Sequence, residues 1–384
     1  MKSIPQILAD LVSINTVNPS LAPGGAGEEM AARYVRDFLQ SAGCEARLDE
    51  IAPGRASAVG ILRGQGGGRS LILNGHLDTV GIAGMAEPFS ARVEGGRLYG
   101  RGALDMKGGL VAALVAVQIL ARGSQLKGDV IVQAVADEEY QSAGMRALIA
   151  AGPKADAAIV MEPTGLEIAT AHKGFVWAEV ETFGRAAHGS RPQEGIDAIL
   201  LMGHVLAEIE RLQKKLDSGP AHPLLGRGSV HTSLISGGQE LSSFPAHCKL
   251  SLERRLVPGE DASTFEDELR EIIATLHSGR STFTGRWSCG YWAGPLETPR
   301  SSAIVAVLAE SFARITGQGP ALATQSFWTD AALLSAAGIP SILFGPGGVG
   351  LHSAEEYVHL EEVRICAEVL ADCARSFCGV AGRG

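Results

Sequence analysis

The residues of this chain that could do chemistry fall at the ends of apolar runs. SLILNGHLDTV carries His76 and Asp78 two positions apart, and in a strand that spacing turns both side chains to one face. An imidazole there can bind a metal through one nitrogen while a carboxylate holds its other N–H; alone, the pair reads equally as a hydrogen-bonded structural histidine. VIVQAVADEE runs a buried strand straight into Asp137, Glu138 and Glu139. YGRGALDMKGG brackets Asp105 with glycines that let the backbone approach closely, a helix cap being the plain alternative. IVMEPT sets Glu162 just before a proline, and PSILFGPGGVGLHSAEEYV places His352 after a glycine-rich turn, where turn and surface roles are the alternatives. Together these side chains make an N,O donor set without cysteine, suited to zinc, cobalt or manganese. A carboxylate shared between two ions would hold them ~3.5–4 Å apart, and bound cations would explain how so many acids tolerate one another.

Such residues need a scaffold that gathers strand ends. Helices over about Ile4 to Ile14 and within EEMAARYVRDFLQSAG, which Gly43 would end, precede a regular alternation. ASAVGILR, SLILNGHLDTV, a helix from about Gly109 to Arg122, VIVQAVADEE, a helix near Gly144 to Ala150 and AAIVMEP follow in turn. That order predicts an α/β fold, a sheet covered by helices with functional residues at its strand ends. Near Lys173 the texture changes: FVWAEVETFG alternates like a half-exposed strand, and IDAILLMGHVLAEIERLQKKL is a long amphipathic helix. GSVHTSLISGG, HCKLSLERRLVPG, a helix at about Ala262 to His277 and RSTFTGRWS complete the order of a small ferredoxin-like α+β sandwich. The α/β texture returns with PSILFGPGG and a closing helix from about Leu360. The expected organisation is a discontinuous catalytic domain, residues 1–174 and 293–384, with residues 175–292 inserted. The glycine-rich RGQGGGRS lacks the Gly-Lys-Ser/Thr of a phosphate loop and, lying between two strand candidates, reads as a hairpin turn.

At 384 residues, 46% hydrophobic and 20% charged, the chain can bury a large core and has the length of about two domains. A formal charge of -9 and a pI near 5.6 leave no basic field for phosphate backbones, so nucleic acid is not an expected partner. The six cysteines, Cys44, Cys248, Cys289, Cys366, Cys373 and Cys378, lack Cys-x-x-Cys spacing and read as reduced, mostly buried thiols. The start, MKSIPQILADLVSINTVNPS, interrupts its apolar pattern at Asp10 and does not read as a signal peptide. The longest apolar run, LVAALVAVQILA, is shorter than the ~20 residues a bilayer requires. A cytoplasmic protein with no membrane partner, acting on small molecules or peptides, is the expectation.

NGHLDTV, GRGALDMKGG, ADEE, MEPT, and a C-terminal GPG followed by HS and EYV occur in this order along essentially the whole chain. In these motifs the chain resembles the zinc hydrolase family, the M20 metallopeptidases, that contains acetylornithine deacetylase, succinyl-diaminopimelate desuccinylase, aminoacylase-1 and the glutamate carboxypeptidases. The resemblance implies a mixed-sheet zinc-hydrolase catalytic domain with an inserted lid and dimerisation domain. It also implies two divalent metal ions, zinc foremost, with cobalt or manganese as substitutes. Carried onto this sequence, it has His76 and Glu162 bind one ion, Glu139 and His352 the other, and Asp105 bridge them, with Asp78 orienting His76. Glu138 would be the general base, taking a proton from water and returning it to the departing amine. Asp137 receives no role. GRAAHGSRPQEGIDAI resembles the family's lid motif, which makes His188 a donor to the oxyanion, supplied in dimeric members to the partner subunit's active site. LERRLVPGED aligns Arg255 with the arginine that contacts the substrate carboxylate, a task for a planar bidentate donor. Arg254, on the opposite face of a regular strand, is left to solvent or structure, and GGQELSSFP has Ser242 where many members carry asparagine.

The activity implied is hydrolysis of the amide bond of N-acyl amino acids, of the acetylornithine or succinyl-diaminopimelate type, by a homodimer paired through the insert. A carboxypeptidase or dipeptidase acting on short peptides would use the same metal core. Glutamate in place of aspartate at position 162 resembles the deacylase and carboxypeptidase branches more than the aminopeptidases. A homologue that only binds metal and ligand would have lost Glu138 or a metal ligand, and none is missing from the sequence.

Overall fold

The structure is a computed structural model that describes residues 2–82, 84–123, 125–151 and 155–381. Its chain forms two units, Met1–Thr170 with Thr298–Thr324 and Thr329–Gly384, and Ala171–Glu297 with Gln325–Trp328. The stretch 175–292 falls inside the second unit; Gln325–Trp328, which the sequence texture assigns to the catalytic part, joins it from the other side of the chain.

The first unit is built on a mixed sheet in the order Glu45–Ala52, Arg55–Leu62, Val130–Val135, Leu71–His76, Ala157–Val160, Ser341–Leu343, Ile168–His172. From Val130–Val135 to Ser341–Leu343 neighbouring strands are parallel. Their runs VIVQAV, LILNGH, AAIV and SIL are buried throughout, as in parallel sheets covered on both faces. The register sets their carboxyl ends level: His76 lies opposite Val135, and both Asn74 and Leu343 lie opposite Val160. Whatever follows these strands emerges along one edge of the sheet, where α/β folds place ligands.

The helix Gly108–Ala121 is apolar all round because it runs through the middle of the core. With the turn before it, Ala103–Ala121 is long and apolar enough to cross a membrane by composition, yet 78% of that window is buried in the fold. Its leading glycines allow a close start. A Cβ on Gly109 would lie 2.0 Å from the Met161 carbonyl oxygen, so only glycine lets the helix meet the strand end that carries Glu162.

Residues 63–70 do not form the expected hairpin turn. Arg55–Leu62 and Leu71–His76 both pair with Val130–Val135, which lies between them. The loop instead crosses the end of that middle strand, with Gln65 N–H bonded to Leu126 O and Gly66 N–H to Lys127 O. Its glycines serve close approach, a Cβ on Gly68 meeting Cys378 O at 2.1 Å.

The second unit is a four-stranded antiparallel sheet in the order Ser229–Gly237, His247–Leu256, Gly174–Phe183, Gly285–Ala293. Helices Ala198–Ser218 and Ala262–Gly279 pack on it through Leu201, Val205, Ile209, Phe265, Leu269 and Ile273. The chain order of strands and helices and their antiparallel pairing are those of a ferredoxin-like sandwich. Asp197 and Asp261 cap the two helices with their side chains.

Candidate metal centre

His76 ends its strand 2% exposed, so its ring nitrogens see only protein. Nδ1 lies 2.9 Å from the Asp78 carbonyl oxygen, and Nε2 lies 3.0 Å from Asp105 Oδ1. The Asp78 carboxylate is farther from Nδ1, at 3.7 Å. Its short contacts are elsewhere: it accepts from the backbone N–H groups of Glu138 and Glu139, each at 3.1 Å, and from Asn18 Nδ2 at 2.8 Å. Asp78 therefore holds the imidazole with its main chain and the acidic turn with its side chain.

The second oxygen of Asp105, Oδ2, is 3.2 Å from His352 Nε2, and the same nitrogen is 3.2 Å from Glu139 Oε2. One carboxylate thus stands between two imidazoles. His76, Asp105 and Glu139 offer ligand atoms within 4.8 Å of one another, and so do His76, Glu138 and Glu162. All six of these residues lie in the first unit. Glu138, expected as the general base, shares its group with His76 and Glu162.

The loops that carry Asp105 and His352 are tied together by a buried ion pair. Glu356 accepts from the backbone N–H groups of Gly102, Leu104 and Asp105 and from Arg101 Nη1 at 2.6 Å. Arg101 Nη2 in turn donates to the carbonyl of Ser353, next to His352. His352 sits at φ 56° in that loop.

Burial raises Glu138 and Glu162 well above the usual carboxylate range; His76 opposes the rise and neighbouring acids, Asp330 among them, add to it. Asp105 moves the other way, since hydrogen bonds from His352 and His76 outweigh its burial. Hydrogen bonds to Asp105 and Glu139 push His352 up to about 10. The residues fit a divalent cation. Glu139 Oε1 is buried with no hydrogen-bond partner among the described residues, the donors are imidazole and carboxylate, and a cation would neutralise the crowded acids.

Sequence reasoning missed Asn18, Arg101, Asp330 and Glu356. Asp330, 1% exposed, is pushed up to about 7 by burial, and its charge acts on Glu138 and Glu162. Locally it looks like the cap of the helix Ala331–Ala336, so no neighbouring residue signalled the site.

The remaining expected residues lie in the second unit. His188 is exposed, with Nδ1 2.8 Å from Ser190 Oγ, and its backbone bridges to Ser243. Arg255 pairs with Glu253 at 2.6 Å and lies 5.4 Å from the Phe175 ring centre. Arg254, on the other face of the strand, is buried between Glu260 and Glu268. Ser242 is exposed, and its carbonyl accepts from Gly189 N–H.

Residues 72–376 match Peptidase family M20/M25/M40, spanning the strand ends and both histidines of the cluster. The chain belongs to this family. Acetylornithine deacetylase of Myxococcus xanthus is 32% identical over 359 residues, covering 90% of this chain and 91% of that one. N-formyl-4-amino-5-aminomethyl-2-methylpyrimidine deformylase of Halalkalibacterium halodurans is 29% identical, covering 94% and 92%. Among solved structures, an M20 family metallo-carboxypeptidase of Sulfolobus solfataricus superposes with a TM-score of 0.80 at 18% identity, covering 98% and 99%, a likeness of fold. The chain is thus a hydrolase of the M20 family, with a mixed-sheet catalytic domain, an inserted lid domain and a candidate metal site.

Proposed function

We propose that this hydrolase cleaves the amide bond of N-acyl amino acids, as a metal-dependent deacylase of the acetylornithine or succinyl-diaminopimelate type. The observation that carries the reading is the placing of Asp105, one oxygen on His76 and the other on His352, with Glu139 on the second histidine. In this arrangement His76, Asp105 and Glu162 would hold one divalent ion, and Asp105, Glu139 and His352 the other, zinc being favoured by the donor set with cobalt or manganese as substitutes. When bound, the ions supply Lewis acidity and bring the pKa of water to roughly 7. Glu138 takes a proton from the attacking water and delivers it to the amide nitrogen as the C–N bond breaks, leaving a carboxylate and a free amine. Its buried setting, which raises it above the usual carboxylate range, suits a group that must both take up and give back a proton. Asp78 positions His76 and the Glu138–Glu139 backbone. In the lid, Arg255 binds the substrate carboxylate and His188 donates to the oxyanion.

The inserted domain also supports a homodimer. Its strand Ser229–Gly237 is a sheet edge whose Leu234 and Ile235 are exposed, 72% and 57%, and Leu200 is 69% exposed; an open apolar edge is a pairing surface. The free thiols suit a reducing compartment, the cytoplasm. A peptidase acting on di- or tripeptides is the second reading, favoured by the fold likeness to the metallo-carboxypeptidase.

Hydrolysis assays over N-acetyl-ornithine, N-succinyl-diaminopimelate, N-acetyl-methionine, N-acyl-glutamates and dipeptides, before and after chelation, test the reading. Acyl substrates should turn over faster than dipeptides, and activity should vanish with the metal. Turnover that survives complete metal removal would end the proposal.

A further inference from the structure

Asp137, which begins the acidic turn, is spent on the scaffold. It is 4% exposed and sits at φ 70°, a conformation aspartate and asparagine tolerate better than most residues. Its Oδ1 accepts from Asn18 Nδ2 at 3.1 Å and from Arg55 Nη2 at 2.9 Å, and its Oδ2 accepts from Ala143 N at 3.2 Å. Arg55 is anchored from behind by Glu28, whose side chain is fully buried.

Asn18 makes the connection that matters. The nitrogen that donates to Asp137 also donates to Asp78 Oδ2 at 2.8 Å, and Asp78 is the carboxylate that receives the backbone N–H groups of Glu138 and Glu139. The rest of Asn18 is committed as well: its N–H donates to Thr79 O and its Oδ1 accepts from Ser20 N, both at 2.9 Å, with the residue 0% exposed. A side-chain amide carries two N–H bonds on one nitrogen and an acceptor beside it. Aspartate here would face two carboxylates with a third, and serine or threonine would have one proton for two acceptors.

We propose that Asn18 is a positioning residue for hydrolysis: its amide, shared between Asp78 and Asp137, fixes the turn from both sides and so sets Glu138 and Glu139 to their separate tasks. The proposal rests on the assignment of Glu138 as proton carrier and Glu139 as metal ligand. It also gives Asp137 a role as the far anchor of the same turn.

The test compares the wild type with Asn18→Ala, Asn18→Asp and Asp137→Asn by steady-state kinetics, calorimetric titration of zinc into the chelated protein, and amide hydrogen exchange of the segment 137–143. For Asn18→Ala we expect kcat to fall by about 10- to 100-fold, the range for groups that orient a metal site from outside it. KM and zinc stoichiometry should stay unchanged, and exchange should quicken in this segment alone. Asn18→Asp should lose more than Asn18→Ala, and combining Asn18→Ala with Asp137→Asn should cost less than the product of the single effects. Unchanged kcat and unchanged local exchange in Asn18→Ala overturn the proposal, as does a loss confined to thermal stability. Should Asn18→Ala fail to fold, Asp137→Asn, which suits the left-handed backbone, carries the same comparison. A wild type that hydrolyses none of the amide substrates refutes the functional reading instead; local exchange then still decides whether Asn18 holds the turn.

Discussion

Two adjacent glutamates with different work make the sharpest case at the scale of single residues. Glu139 reaches His352 and leaves one oxygen without a hydrogen-bond partner among the described residues, whereas Glu138 groups with His76 and Glu162. On the proposed division of labour, Glu138→Gln should keep its metal content and lose about 10²- to 10⁴-fold in kcat, the usual yield of general acid–base catalysis. Glu139→Ala should instead weaken metal binding, read by calorimetry with zinc as the probe; identical behaviour of the two variants would dissolve the division of labour. Arg255→Ala should raise KM for carboxylate-bearing substrates with kcat little changed, since uniform binding is what it would supply. Glu138 and Glu139 stood out in the sequence because they follow the apolar strand Val130–Val135 within a few positions, a purely local signal. Asn18 and Asp330 did not, because their meaning arises only where distant segments meet: Asn18 touches a carboxylate 119 positions away.

At the scale of elements, the strand ends bring the candidate ligands together but do not alone orient them. Asp105 rides on an irregular turn, Ala103–Lys107, where Glu356 collects the N–H groups of Leu104 and Asp105 together with that of Gly102 just before it. The sequence motif showed the glycines that permit this turn; the carboxylate that closes it lies 255 positions from its Arg101 partner, beyond any spacing rule. Side chains of this pair are 2% and 0% exposed, so removing one partner leaves a buried charge uncompensated. Glu356→Gln should cost about 3–5 kcal/mol in urea unfolding. Asp372→Asn, which breaks the exposed pair with Arg314, should cost less than about 1 kcal/mol. Equal losses in the two variants would show that the Arg101–Glu356 pair is no more than an ordinary surface contact.

At the scale of the molecule, a run of buried strands and a run of alternating ones differ in composition along their whole length, which is the contrast that periodicity reads. Gln325–Trp328, which group with the second unit, are too few to carry a period, and periodicity turned a crossing loop into a hairpin because pairing order is not written in either strand. The same burial that made the core readable also controls its thiols. Burial pushes Cys44 up to about 11 and Cys378 up to about 12, and raises Cys366 and Cys373 further, from an ordinary 9.0. In the unfolded chain these groups ionise near 9.0, while the folded chain keeps their protons, so above that pH the unfolded state binds fewer protons and stability must fall as pH rises. Their contribution is whole below pH 9.0 and for Cys44 is lost towards about 11. Cys44 reports this most cleanly, because alanine can replace its small, hydrogen-bond-poor side chain. The drop in urea midpoint between neutral pH and pH ~10 should be smaller in Cys44→Ala than in the wild type, and an identical drop in both would mean that this thiol ionises at the same pH in the folded chain as in the unfolded one.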